Sequence, residues 1–565
     1  MTTPGAATTG ATAGATTGAD TGAKAATAEG ATAEAAPRAS VLRSGALMAA
    51  GSLVSRATGF ARSAVVAAAI GTGLVADGYA LGNSIPTIVY MLLLGGALNA
   101  VFVPELVKAA KEHEDGGVAY TDRLLTLCVL ALTALTALAV LAAPAIVDAY
   151  ADYTGAQREM TVAFARSCLP QIFFLGLFTL LGQVLNARGR FGAMMWTPVL
   201  NNLVVIAVFA LFLAFSDGGA LTPGETALLG WGTTAGITLQ ALALLPSLKA
   251  AGFRWRPRLD WRGSGLTAPL KAAGWLVLLV LTNQAAYWVT TKIATAAGQR
   301  AEGAGLSAYN NAYLLWAVPH GIVTVALVTA LMPRMSGAAA EDDLTAVRKD
   351  VAYAQRTSAA AIVPAACALF ALAVPLMTTV FQYGRTDADA VRSMAWILMA
   401  LAPGLVALSG QYVCTRAFYA LRDTRTPFLL NLVIAGLNAL LAVSAYALLP
   451  ARWAVAGMAA GYSLALWTGW ALTAYVLGRR LRAGAAPQGP GAGAALLRLL
   501  VAAVPATGLG LLTADLTLPA GPVPSGLAGA LAIVTVFALL AGPLRLTEVR
   551  NLLTGAAGRL VRRRG

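Results

Sequence analysis

Residues 197–202 read TPVLNN and residues 426–431 read TPFLLN, so the pattern TPxLxN recurs at an offset of 229. The same offset relates ALNAVFVP at 97–104 to ALVTALMP at 326–333. Two independent matches at one offset point to an internal duplication. Each TPxLxN opens a long apolar run, and similar runs fill the chain on both sides of it. A membrane-spanning helix needs about 20 mainly apolar residues. By that measure the sequence predicts fourteen helices, near 44–70, 77–107, 123–148, 157–187, 193–215, 225–248, 266–297, 304–332, 354–382, 389–415, 426–449, 453–478, 494–514 and 525–543. The matched segments fall in helices six apart, which therefore point the same way. The duplication reads as a parallel repeat whose pseudo-twofold axis lies along the membrane normal. The expected fold is all-α and polytopic. An N-terminal lobe covers 41–250, a C-terminal lobe covers 264–480, and two added helices cover 493–545.

Composition agrees. Apolar types make up 58% of the 565 residues and charged types 12%, against about 25% charged in an ordinary soluble domain. Mean hydropathy is +0.70. A soluble enzyme, a disordered chain and a nucleic-acid binder are excluded despite the net charge of +15. Residues 1–40, almost all Ala, Thr and Gly, show no apolar periodicity and read as a disordered cytoplasmic tail. The basic segment 546–565 reads as a second cytoplasmic tail. The four cysteines sit in apolar runs without metal-ligand spacing, and two histidines offer no catalytic constellation. No cofactor, metal or enzymatic activity is implied.

Charge orients the helices. With the N-terminus inside, 31 of the 40 Lys and Arg fall on the cytoplasmic side or at those helix ends. That asymmetry is the positive-inside rule, and it absorbs most of the net charge. Trp255 and Trp261 flank the basic loop as interfacial anchors would. Only Arg56, Arg62, Arg166 and Lys292 lie within helices. A charge at mid-membrane costs roughly 2.5–3.5 kcal/mol on insertion scales, so each calls for a reason. Arg56 and Arg62 occur in SLVSRATGFARSAVV at 52–66. Their spacing does not put them on one face of a straight helix, but a bend at Gly59 would turn both inward. They read as a cationic patch for an anionic group such as a diphosphate, or as a structural pair or snorkelling charges. Asp77 opens helix 2 as a partner or gate for these arginines, or as a helix N-terminal charge. Arg166 and Lys292 lie toward the outer side, where snorkelling competes with a site role. Helix 7 carries Thr282, Asn283, Gln284, Thr290 and Thr291, and helix 11 carries Asn431 and Asn438. These polar groups either line a cavity or bond neighbouring helices.

Several stretches together resemble the MurJ/MviN lipid II flippases. They are SRATGFARSAVVAAAIGTGLVADGYALGNSIP at 55–86, GGALNAVFVPEL at 95–106, LLGQVLNARGRF at 180–191 with TPVLNN, VALVTALMPRMS at 325–336, VFQYGR at 380–385 and RAFYALRDTRTP at 416–427. The resemblance runs in order from about residue 41 to 545. It implies a fourteen-helix member of the multidrug/oligosaccharidyl-lipid/polysaccharide exporter superfamily. Such a protein moves an undecaprenyl-diphosphate-linked peptidoglycan precursor from the inner to the outer leaflet of the bacterial cytoplasmic membrane by alternating access. The family's cavity arginines map onto Arg56 and Arg62, and its helix 2 acid maps onto Asp77. Two positions that commonly carry Arg in the family are Met91 and Leu314 here.

The expected bending points are Gly59 in helix 1, Pro86, Gly95, Gly96 and Pro104 in helix 2, and Pro319 and Gly321 in helix 8. Expected partners are the lipid-linked precursor, membrane lipids and peptidoglycan synthases, with no nucleic acid. An exporter of another polyprenyl-diphosphate-linked glycan or amphiphile, and a non-transporting scaffold of the wall-synthesis machinery, are the competing readings.

Overall fold

The structure is a computed structural model that describes residues 50–93, 115, 117–188, 190, 192–216, 218–260, 274–301, 305–482, 492–552 and 554. The expected tail 1–40, the bending points Gly95, Gly96 and Pro104, and most of the basic C-terminal tail lie outside the described residues.

The described chain is helical throughout. The first half holds α1 (Ala50–Ile70), α2 (Leu74–Leu93), α3 (Val118–Leu141), α4 (Ala143–Tyr150), α5 (Gly155–Cys168), α6 (Gln171–Ala187), α7 (Gly192–Phe215), α8 (Pro223–Leu242) and α9 (Leu245–Ala250). The second holds α10 (Gly274–Arg300), α11 (Leu306–Pro319), α12 (Val325–Ala340), α13 (Leu344–Ala371), α14 (Ala373–Phe381), α15 (Ala388–Leu401), α16 (Gly404–Ala420), α17 (Arg425–Leu448) and α18 (Ala451–Arg482). The chain continues through α19 (Ala492–Thr517) and α20 (Pro522–Leu540).

Among the described residues, nine helices are long and apolar enough to cross a bilayer, or eleven when two bent pairs count as single spans. The remaining expected spans coincide with α2, α10 and α18, which are helices of 20, 27 and 32 residues but more polar. Two expected straight helices are bent. The chain turns by 73° between α13 and α14 and by 45° between α15 and α16. Pro403 stands at the second bend and Pro170 at the break between α5 and α6. Proline lacks the N–H that would carry the helical ladder through. A third irregularity falls between α11 and α12, where His320–Thr324 form a π-helical turn immediately after Pro319.

Both halves pack in the same pattern. In the first, α2 meets α5, α5 and α6 meet α8, α3 meets α6, and α7 lies along α8. In the second, α11 meets α15, α15 and α16 meet α18, α13 meets α16, and α17 lies along α18. Helices α19 and α20 pack on each other, and α13 receives both. The TPxLxN asparagine does one job in both halves. Asn202 Nδ2 donates to Ser55 O at 3.1 Å and to Thr58 Oγ1 at 3.0 Å, tying α7 to α1. Asn431 Nδ2 donates to Asn283 Oδ1 at 2.9 Å, tying α17 to α10. An interhelical hydrogen bond substitutes for the hydrophobic drive that lipid surroundings remove.

Candidate functional site: the seam between two halves

Helix α1 carries the two arginines that the sequence singles out. Arg56 is exposed and Arg62 half-buried. Among the described residues neither forms an ion pair, although seven other Lys or Arg residues do. Arg56 reaches the second half. A Cβ placed on Gly321 would lie 2.7 Å from Arg56 Nη1, so the guanidinium rests on bare backbone in the π-helical turn. A side chain at 321 would push the guanidinium aside. Single π-turns inside helices are common at functional sites. The structure thus joins two residues that the sequence singles out separately, a cation and a bending point. Gly59 instead lies beneath Asn202, and α1 runs unbroken from Ala50 to Ile70.

Asp77 has a different partner. Only 1% of it is exposed, and its carboxylate accepts a hydrogen bond from the Ser307 N–H at 2.7 Å. Ser307 sits in the first turn of α11, whose N-cap is Gly305. Glycine brings no side chain to satisfy the free N–H groups of that turn, so Asp77 supplies the cap from across the seam. The carboxyl group also faces the positive end of the α11 dipole. A Cβ on Gly298 or Gly305 would collide with this carboxylate. Of the two sequence readings, a helix N-terminal charge describes it, but the helix is α11 rather than its own.

Other links gather at the same end. Arg385 N donates to Ala68 O at 2.8 Å and Thr386 Oγ1 donates to Ala67 O at 2.8 Å, so the VFQYGR loop caps the last turn of α1. Arg385 Nη2 also reaches Ser216 Oγ at 3.1 Å. Trp288 Nε1 donates to Ala149 O at 2.9 Å and Thr295 Oγ1 to Tyr150 O at 3.2 Å. Lys292 forms a 3.4 Å ion pair with Asp152 across this seam, whereas Arg166 is exposed on α5. Pro86 lies inside α2, beyond its midpoint.

The second half holds a cavity of about 470 Å³ of its own, lined by α10, α11, α16, α17 and α18. Asn283, Gln284, Thr290, Asn431 and Asn438 all face it. Thr291 is fully buried, and Thr282 is half-buried and bonded to its own helix. Sequence reading missed Gln411 and the tyrosines 309, 313 and 462, because aromatic and single amide residues in apolar runs carry no periodic signal. A second cavity of about 490 Å³ lies between α13, α16, α18 and α19. Its wall is apolar, with Phe370, Trp467, Leu500 and Val504 among its residues. No cluster of His, Cys, Asp or Glu among the described residues suits a metal ion.

Outside the spans, the RDTRTP motif forms a local lock. Asp423 accepts from Thr426 N at 3.0 Å, from Thr426 Oγ1 at 2.7 Å and from Arg480. Burial alone would raise its carboxyl, but these hydrogen bonds outweigh burial and hold it below the usual carboxylate range.

Two packed halves, an arginine at their junction without an ion pair among the described residues, and cavities among the helices define a polytopic transporter. The fold agrees with an inward-facing multidrug resistance MATE family transporter of the MOP superfamily, with a TM-score of 0.56 over 77% of this chain and 96% of that one at 14% identity. It agrees further with the lipid II flippase MurJ in an inward closed conformation, with a TM-score of 0.70 over 88% of this chain and 99% of that one at 16% identity. The sequence is 30% identical to the lipid II flippase MurJ of Burkholderia cenocepacia over 383 residues, which are 66% of this chain and 72% of that protein. The family profile described as lipid II flippase MurJ matches residues 66–528. The chain belongs to the MurJ lipid II flippase family, a family of membrane transporters in peptidoglycan synthesis rather than of enzymes.

Proposed function

We propose that this chain carries lipid II from the inner to the outer leaflet by alternating access between its two halves. The observation that carries the reading is the free pair Arg56 and Arg62 on α1, with Arg56 resting on the second half at Gly321. Guanidinium groups without carboxylate partners among the described residues suit a diphosphate, which accepts paired N–H bonds. The links through Asp77, Arg385 and Lys292 close one end of the seam. Positive-inside charge makes that end the outer one and both termini cytoplasmic. The substrate's polyprenyl tail would lie in the apolar cavity beside α19. Fourteen helices in two six-helix lobes plus two cross the membrane in this reading, supported by the repeated packing. The π-turn at Pro319 and Gly321 and Pro86 in α2 serve as bending points, whereas Gly59 sits in the unbroken α1. Peptidoglycan synthases, which consume the flipped precursor, are the expected protein partners.

A related substrate is the second reading. Met91 is 43% exposed on α2 and Leu314 half-buried on α11, where relatives commonly place arginines. A smaller cationic surface suits another polyprenyl-diphosphate-linked glycan.

The test is complementation of cells depleted of their own lipid II flippase. Wild type should restore growth, and Arg56→Ala at equal expression should not. Failure of wild type would exclude lipid II as the substrate, and rescue by both Arg56→Ala and Arg62→Ala would remove the arginines from the site. Cysteine labelling should reach position 258 from inside and position 385 from outside; the reverse would overturn the orientation.

A further inference from the structure

The cavity within the second half is charge-free, and nothing in the arginine site uses it. Among the described residues its lining holds no Asp, Glu, Lys, Arg or His. At about 470 Å³ it falls within the roughly 300–1,000 Å³ of ligand pockets. Asparagine and glutamine amides alternate around it with tyrosines 287, 309, 313 and 462. Two of the amides are unsatisfied. Asn438, 7% exposed, has a buried Oδ1 without a hydrogen-bond partner, and Gln411 Oε1 is likewise buried and unpartnered. A buried acceptor left alone costs about 1–3 kcal/mol, so a native protein keeps it for a reason.

The missing partner must be a donor. A metal cation would satisfy the oxygens, but a net charge in this low-dielectric setting needs a counter-charge, and no lining residue supplies one. A neutral O–H or N–H donor fits without that cost. The aromatic wall adds a second requirement. Tyr309 and Tyr313 stack at 6.1 Å between centroids, and Tyr313 remains 37% exposed although it stands in mid-helix. An exposed ring face suits the C–H face of a flat saturated ring, while amides suit its hydroxyl and acetamido groups. We infer that this pocket binds an uncharged, hydroxyl- and amide-bearing group, namely an N-acetylated sugar of the carried head group. The inference rests on the flippase reading and divides the labour. The first half grips the diphosphate, and the second recognises the glycan.

The experiment measures binding of lipid II and of undecaprenyl diphosphate, which lacks the sugars, to the full chain in lipid nanodiscs. Wild type, Asn438→Leu, Gln411→Leu and Arg56→Ala are compared. Both Leu variants should weaken lipid II binding about tenfold, as expected for one lost buried hydrogen bond, and leave undecaprenyl diphosphate binding unchanged. That unchanged binding also shows that the variants fold. Arg56→Ala should weaken both ligands. If the Leu variants bind lipid II as wild type does, or lose both ligands equally, the sugar pocket is wrong while the flippase reading stands. If they abolish a sodium-induced stabilisation and spare lipid II affinity, the cavity is a cation site and the inference falls. If wild type binds neither ligand, the flippase reading itself fails and takes the inference with it.

Discussion

The two halves share a scaffold but not a lining. Asn202 and Asn431, at matching places in the repeat, each tie the first helix of their half to the fifth. On those first helices the matching residues then part company. At the 229-residue offset, Arg56 and Arg62 of α1 correspond to Ala285 and Thr291 of α10. These two charges therefore belong to one half alone. In the other half the same frame encloses a neutral cavity of amides and tyrosines. The most severe way to break this comparison is to move the charge. Arg56→Ala should lose about 2–3 kcal/mol of diphosphate binding, a fall of roughly 30- to 150-fold in flipping of a fluorescent lipid II in proteoliposomes. Adding Ala285→Arg to that variant should not restore it. Recovery would mean that the halves are interchangeable and that the side on which the charge stands is immaterial.

Asp77 tests the seam rather than the lining. It is buried, and its charge is used on the first turn of α11. Asp77→Ala removes a cap worth about 1–2 kcal/mol from the closed outer end. The expected result is a shift toward outer-end opening, read as faster thiol labelling of a cysteine at position 297, which is fully buried beside Asp77 in the closed state. Asp77→Asn keeps an acceptor for the Ser307 N–H and should shift the labelling less. Equal labelling in wild type and Asp77→Ala would remove Asp77 from the closure.

Much of this was legible in the sequence. Apolar run length gave an all-helical membrane protein, and nine to eleven of the expected spans stand among the described residues. The intramembrane charges pointed to Arg56 and Arg62 because insertion cost makes them conspicuous. The neighbour of each was not legible. That Arg56 lies on Gly321 and Asp77 on Ser307 depends on how two halves more than 200 residues apart come together. The bends at Leu372 and Pro403 escaped a hydropathy reading because apolarity does not fall there. The neutral cavity was half legible. Its asparagines stood out as polar residues in apolar runs, whereas its tyrosines passed as ordinary apolar filling.

The matched asparagines give a gentler test of the same frame. Asn202 makes two hydrogen bonds to α1 and Asn431 makes one to α10. Interhelical bonds in membranes average about 0.6 kcal/mol. Asn202→Ala should therefore lower thermal stability about twice as much as Asn431→Ala in the same nanodiscs. Equal losses would show that the two ties are not energetically graded by their bonds.

The smallest expected effect belongs to a lock found in one half only. Asp423 joins Thr426 and Arg480 in the second half, and the position 229 residues earlier is Met194. Its carboxyl is held below the usual carboxylate range, so the folded state favours the ionised form. The sign follows from linkage. The unfolded chain binds the proton at higher pH than the folded one, so the stabilisation is complete above the ordinary aspartate range and is lost as pH falls through the lowered value. The contribution is about 1 kcal/mol or less, because Arg480 is partly exposed and solvent screens the pair. Asp423→Asn should cost that amount at neutral pH, and the gap from wild type should close as the sample is acidified. Met194→Asp, placed in the first half, should gain nothing, because the residue matching Arg480 is Ala251. A gain there would show that the second half's lock needs only its aspartate, and the asymmetry between the halves would then be looser than their linings suggest.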